Sequence, residues 1–567
     1  MKSYHPYNKI IASLICLCCT VSIYSQQDST LTRTVVVENQ YNPTLLNANK
    51  IGLTPSLEQP RIVPKQIQYA DSFQPNTSFV FEPIGNIANN PYKQPEQQGY
   101  ARLGYGNNGN IDARLGYCFY PGEKDRINTL FAFRGMNATL EYPESMSQSE
   151  WDSRIYRTQL AADWQHLFKS FKLDVAAEGE SQTYNYNTTW TSLNEDRTRQ
   201  TNLLASLQAT LANRDNEATI LFKAGTGILY ANQKHALGTS KKFTEKDIRT
   251  HASITGVIDE ESRISLQAQM DNFLYSSEWI EANNYTSLQF NPAYHLNKEN
   301  WNVRLGAHLD FQTDRGAKVQ LSPDMYGEYR FSNAHRLYAQ ATGGRILNDF
   351  RTINQQYPYD YPGIITFPDY VVSHLVSPIN NGYIPVDVQL GFRTTPMNEM
   401  SLHVYGGFRT AKDEIFSVRN LPLYPNSYPH ELLQDDANAL YAGVTAQYRW
   451  KNMFATHIDF LWNNWNSDVT DNYLTMHPEL TLKGTIESEP IKRLHLALSY
   501  LYEQRKASKD AGREKAINNL GIAVSYELFP TINLWAKGDN LLNQDYFLHT
   551  LYPAQGINFL FGASVEF

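Results

Sequence analysis

The chain predicts an all-β fold, a closed antiparallel transmembrane β-barrel of about 22 strands, with roughly 18 to 22 as the range. Three observations carry this. Apolar and polar residues alternate in segment after segment between Gln98 and Phe567. The connections between segments alternate between tight and long. An export leader opens the chain, and no apolar run after it reaches the ~18 residues of a membrane-spanning helix.

Residues 1–25 read as a secretory signal: Lys2 and Lys9 supply the positive start, IIASLICLCCTVSIY the apolar stretch, and cleavage after Ser25 is expected. Three of the four cysteines, Cys16, Cys18 and Cys19, lie within it, so the mature chain keeps Cys118 alone and forms no internal disulfide. The net charge of −8 becomes −10 without Lys2 and Lys9. That balance argues against nucleic acid as a partner, since phosphate binding needs a basic face. Mean hydropathy is only −0.48, as expected when alternate residues alone meet lipid.

Residues 26–97 are proline-rich with little periodicity, and are expected to form an extended periplasmic segment rather than a packed domain, one that threads the lumen as a short stopper, lies on the periplasmic mouth or docks on a partner. Within it, TRTVVVEN carries Thr34, Val35, Val36 and Val37, a β-prone stretch suited to pairing with a partner's sheet edge.

From residue 98 the strands follow. Val303, Leu305, Ala307, Leu309 and Phe311 alternate with Arg304, Gly306, His308 and Asp310; Val386, Val388, Leu390 and Phe392 alternate with Asp387, Gln389, Gly391 and Arg393. Such segments begin near residues 98, 109, 126, 154, 170, 199, 215, 245, 262, 285 and 299. Others begin near 318, 335, 384, 398, 437, 452, 478, 491, 517, 530 and 556. Connections after even-numbered strands are short, as in PGEKD, KEN and SNAH. Those after odd-numbered strands are mostly longer: YPESMSQSEW, LYPNSYPHELLQDD and the stretch from about 346 to 383. A soluble propeller or sandwich has little reason to gather its long loops at one end. An outer-membrane barrel does, with short periplasmic turns and longer extracellular loops.

The longest connection holds Tyr357, Tyr359, Tyr361, Phe367 and Tyr370 among prolines. Rigid aromatics there suit contact with a ligand, or a lid folded over the barrel mouth. Inward Arg304, Arg393, Arg409, Lys483 and Lys537 either line a route for an anion or pair with carboxylates such as Asp310, Asp387 and Asp459. The Gly104-x-Gly106-x-x-Gly109 spacing lacks the following helix that a dinucleotide site needs, and Asn107-Asn108-Gly109 reads as a hairpin turn. No HExxH zinc pair and no G-x-S-x-G nucleophile turn occurs, so neither an enzyme, a metal site nor a cofactor is expected.

The stretch GDNLLNQDYFLHTLYPAQGINFLFGASVEF (residues 538–567) resembles the C-terminus of TonB-dependent receptors. The matching elements are Asn540-Leu541-Leu542-Asn543, Tyr546, Tyr552-Pro553, Gly556 and the strand ending at Phe567; Ile557 stands where that family usually has Arg. The terminal alternation of Phe559, Phe561, Val565 and Phe567 matches the signal that the barrel-assembly machinery reads. The resemblance implies solute uptake across the bacterial outer membrane, with Thr34–Val37 as the box that engages a TonB-type periplasmic energy transducer. Residues 26–97 are shorter than the plug the resemblance implies. Two other readings stand beside it: a structural barrel scaffolding outer-membrane lipoproteins, and a passive porin.

Overall fold

The computed structural model describes residues 98–567 apart from 143–149, 187–198, 216–217, 235–241, 278–282, 360–362, 367–374, 420–429, 452, 510–511 and 550–551. The expected leader and the Thr34–Val37 stretch lie outside the described residues. Among those described, 22 strands close into one barrel. They begin with β1 (Gly99–Gly106), β2 (Ile111–Gly122), β3 (Asp125–Glu141), β4 (Glu150–Leu167), β5 (Phe171–Asn185) and β6 (Arg199–Asn213). Then come β7 (Ile220–Gln233), β8 (Phe243–Val257), β9 (Ser262–Ser277), β10 (Tyr285–Asn297), β11 (Trp301–Gln312) and β12 (Val319–Ser332). The next five are β13 (His335–Ile346), β14 (Gly382–Met397), β15 (Met400–Arg419), β16 (His430–Trp450) and β17 (Phe454–Asn466). The last are β18 (Pro478–Ile491), β19 (Leu494–Arg505), β20 (Ile517–Phe529), β21 (Ile532–Asp539) and β22 (Asn558–Glu566).

Each strand pairs antiparallel with its sequence neighbours, and β1 pairs with both β2 and β22, which closes the ring. Alternation sorts the side chains. In β22 and β11 the apolar set points outward, leaving Phe559, Phe561, Leu305 and Phe311 exposed, while Ser564, Glu566 and Asp310 are buried on the inner wall. An exterior so apolar is suited to hydrocarbon, and closure leaves no unpaired strand edge to meet it.

Connections of two residues, at 123–124, 333–334, 398–399, 492–493 and 530–531, lie at one end of the barrel. The opposite end carries the long connections, the largest being 347–381. One expectation needs correcting: HELLQDD, read in the sequence as loop, belongs to β16. Residues from His430 onward pair with the end of β15 from Arg419 inward. These strands have 20 and 21 residues, about twice the span of a bilayer. Their outer halves project beyond lipid, where the apolar alternation that marks a strand is no longer required. Asn107–Gly109 is a short 3₁₀ turn between β1 and β2. Asn108 and Gly109 are both left-handed there, at φ 57° and 59°.

The closing seam depends on two glycines. Trp535, Gly562 and Gly104 stand in one row across β21, β22 and β1, and the Trp535 indole lies over both glycines. The Arg102 guanidinium sits 3.8 Å above the ring centroid. A Cβ at Gly562 would strike the Leu103 carbonyl oxygen and the indole. Gly562→Val is therefore expected to cost about 3 kcal/mol or more and to lower the temperature at which the barrel loses its compact, heat-sensitive gel mobility. Gly256→Ala, where the added carbon meets nothing, is expected to leave that temperature unchanged.

Candidate functional site

The inner wall is charged, and its charges are largely neutralised in place. Arg409 contacts Asp387 at 2.6 Å, Lys537 contacts Asp539 at 2.9 Å, Arg345 contacts Asp271 at 2.7 Å, and Arg304 is paired with Asp324. The pairing alternative therefore holds for Arg409, Arg304 and Lys537, although Arg304 takes Asp324 and not Asp310. Among the described residues, no group of three or more His, Cys, Asp or Glu side chains is placed to hold a metal ion.

The feature that organises the long-loop mouth is the segment after β13. Asp349 caps helix α1 (Phe350–Gln356), accepting from the Thr352 amide at 2.5 Å. The buried carboxylate of Glu245, on β8, accepts from the Phe350 and Arg351 amides at 2.7 and 3.4 Å. Two otherwise unpaired N–H groups of the first helical turn are satisfied by the barrel wall. Phe350 packs on Phe243 with centroids 4.0 Å apart. Ile353 joins Ile379, Ile415 and Leu432 in an apolar cluster, with Tyr357 against it.

Beyond α1 the segment reaches the far wall. Tyr184 of β5 donates its hydroxyl to the Pro358 carbonyl at 2.7 Å. Tyr359 is buried among inward-facing aromatics: stacked on Tyr552 at 3.7 Å, and edge-on to Trp151, Tyr184, Tyr186 and His549. Trp151 and Tyr184 stand on β4 and β5, eight or nine strands from β13 in a ring whose farthest point is eleven strands away. Residues 347–359 thus form a crossbar inside the mouth, held at one end by Glu245 and at the other by an aromatic cage. The return segment is also tied to the wall: Asn381 donates to Gln312 at 3.0 Å and accepts from Tyr285 at 3.3 Å.

Against the cage lies a cavity of about 60 Å³, lined by Trp151, Ser153, Tyr359, Asp539, His549 and Tyr552 among others. The Trp151 indole N–H and the Ser153 hydroxyl are buried there and find no hydrogen-bond partner among the described residues. Burial, with Tyr186 close by, pushes the Tyr359 phenol well above its ordinary value. Burial likewise pushes Tyr546 up to about 12. Both remain neutral donors at any physiological pH.

Of the aromatics expected to act together, Tyr357 and Tyr359 fall 58 and 193 residues from Ile415 and Tyr552, the partners they contact. Tyr361, Phe367 and Tyr370 lie outside the described residues. Phe559, Phe561 and Phe567 are exposed on the outer face of β22 and just beyond it. Glu245, Trp151 and Tyr184 carry no local motif; Tyr552 stood in the sequence only as part of the Tyr552-Pro553 element of the C-terminal resemblance.

A closed 22-stranded antiparallel barrel defines the architecture, and solved structures share that fold. The chain is similar to the copper transporter OprC (12% identity, 84% of each chain covered, TM-score 0.62). It is similar to the FrpB iron transporter from Neisseria meningitidis (9% identity, 84% of this chain and 82% of that one, TM-score 0.64). The siderophore receptor PirA from Acinetobacter baumannii matches at 10% identity over 84% and 81% of the two chains, TM-score 0.63. No protein-family model and no curated protein matches the sequence. At these identities the likeness establishes the fold.

Removing the Tyr359 ring vacates the cage, and emptying a buried aromatic site costs about 3–5 kcal/mol. Tyr359→Ala is expected to free the crossbar, raising the rate of limited proteolysis within 347–381 at least about tenfold. Tyr359→Phe keeps the stacked ring and is expected to stay protected.

Proposed function

We propose that the protein is an outer-membrane transporter, similar to TonB-dependent receptors, that takes up a solute across the outer membrane. The observation that carries this reading is the crossbar: a barrel this wide whose mouth is spanned by an anchored loop is built to admit selected cargo. The fold likeness to a copper transporter, an iron transporter and a siderophore receptor supports the same class. In this reading the long loops face outside and the tight turns face the periplasm. Tyr357, Tyr359, Tyr361, Phe367 and Tyr370 form the ligand-contacting lid. Thr34–Val37 pairs as an added strand with a TonB-type transducer. The alternation ending at Phe559, Phe561, Val565 and Phe567 is read by the barrel-assembly machinery after a signal peptide has been removed.

Two measurements test this. In planar bilayers the full-length protein is expected to remain closed, and a version lacking residues 30–95 to conduct. Steady conduction by the full-length protein would establish a passive pore. Silence from both forms would favour a scaffold for surface or periplasmic lipoproteins. Separately, a peptide spanning residues 30–40 is expected to bind the periplasmic domain of a TonB-type transducer. Val36→Pro, which removes a ladder N–H, is expected to abolish that binding; equal binding by both peptides would remove the coupling role.

A further inference from the structure

The inner wall near the tight-turn end holds an arrangement that pairing does not explain. Arg330 on β12 stands directly across from Arg336 on β13, which stands directly across from Arg393 on β14. Like charges in such a row repel. All three converge on one carboxylate: Arg330 and Arg336 approach Oε1 of Glu328 at 3.3 and 3.9 Å, and Arg393 approaches Oε2 at 3.6 Å. The Tyr326 hydroxyl also donates to Oε2, at 2.7 Å.

Elsewhere on this wall, pairs such as Arg409–Asp387 and Lys537–Asp539 match one cation to one carboxylate. Here three cations share one. The Glu328 side chain is 5% exposed, whereas Arg330, Arg336 and Arg393 are 29%, 34% and 46% exposed. The carboxylate is the buried base and the guanidinium groups face the lumen. Three guanidinium groups carry about fifteen N–H donors against about four acceptor positions on one carboxylate, so donor capacity and roughly two positive charges are left over. Arg393 is further fixed by the Tyr338 ring, 4.4 Å from its centroid, and lies 3.4 Å from the Tyr326 hydroxyl. Two tyrosines and a buried carboxylate thus orient the cluster.

We propose that Arg330, Arg336 and Arg393 form a binding site for a small oxyanion, a phosphate or polycarboxylate group, on the inner wall near the tight-turn end. Planar guanidinium groups bind such anions through paired charge-assisted hydrogen bonds. Glu328 acts as the internal anion that holds the arginines ready while the site is empty. The inference does not depend on energised uptake, because binding can be measured without a transport cycle.

The test is calorimetric titration of the purified full-length protein in detergent with inorganic phosphate and, separately, with citrate. Saturable binding of either is expected, and the stronger of the two identifies the anion class. Arg336→Gln and Arg393→Gln are each expected to weaken binding about tenfold or more. Glu328→Gln removes the internal competitor and is expected to tighten binding about tenfold; should it fail to fold, the two arginine variants decide. Arg409→Gln breaks a one-to-one pair and is expected to lower the melting temperature without changing anion affinity. Arg336→Gln relieves repulsion and is expected to leave the melting temperature unchanged or raised. Absence of saturable binding to both anions, or equal affinity in wild type and Arg336→Gln, would overturn the proposal.

Discussion

In hydrocarbon no water is at hand to satisfy a backbone N–H or C=O, so a membrane sheet must supply every partner itself. The ladder between β1 and β22 meets that requirement, with Gly99 donating to the Phe567 carbonyl at 2.6 Å and Phe567 donating back at 3.0 Å. Without this ladder the other antiparallel pairings would leave two open edges. Closure explains why Gly104 and Gly562 are needed: the first and last strands come together over an indole, and a side chain on either glycine would hold them apart. β22 is one half of that seam, paired with β21 on one side and β1 on the other.

Closure also decides what the interior must be. Once alternate residues face lipid, the remaining half is forced inward, and on this crowded wall most charge is steadied where carboxylates and guanidinium groups stand close. Cross-strand register supplies that proximity. Asp387 lies directly opposite Arg409 in the β14–β15 ladder, and Asp112 opposite Arg134 in the β2–β3 ladder. The same register places three arginines side by side, so that row stands out against the pairing around it.

How much was legible in the sequence follows from the range of each interaction. A strand is announced by its own alternation, and the 22 predicted segments all correspond to barrel strands, including β11, β14 and β22. The ends are less legible. His430–Asp436 has no apolar alternation, because it pairs with β15 where no lipid selects the outward side chains. The crossbar was legible only as a tyrosine-rich, proline-stiffened loop. Which wall Tyr359 meets depends on barrel closure, which brings Tyr184 and Tyr552 to it from 175 residues before and 193 residues after; no local pattern encodes that. Likewise Arg330, Arg336 and Arg393 become neighbours only once the β12–β14 register is set, and of the three only Arg393 drew notice in the sequence.

The two anchors of the crossbar differ in kind, one resting on backbone amides and the other mainly on rings. Glu245 satisfies two helix-end amides from a buried position. Withdrawing it leaves two helix-end N–H groups without that partner, a cost of about 1–3 kcal/mol for each. Tyr359 is held mainly by ring contacts, and another ring can replace it against Tyr552 and Trp151 without stranding any of those contacts. Beside it, the Trp151 N–H and Ser153 hydroxyl have no hydrogen-bond partner among the described residues. Release of the tip alone would break the Tyr184–Pro358 hydrogen bond and the ring contacts of Tyr359, and would leave the Glu245 anchor in place.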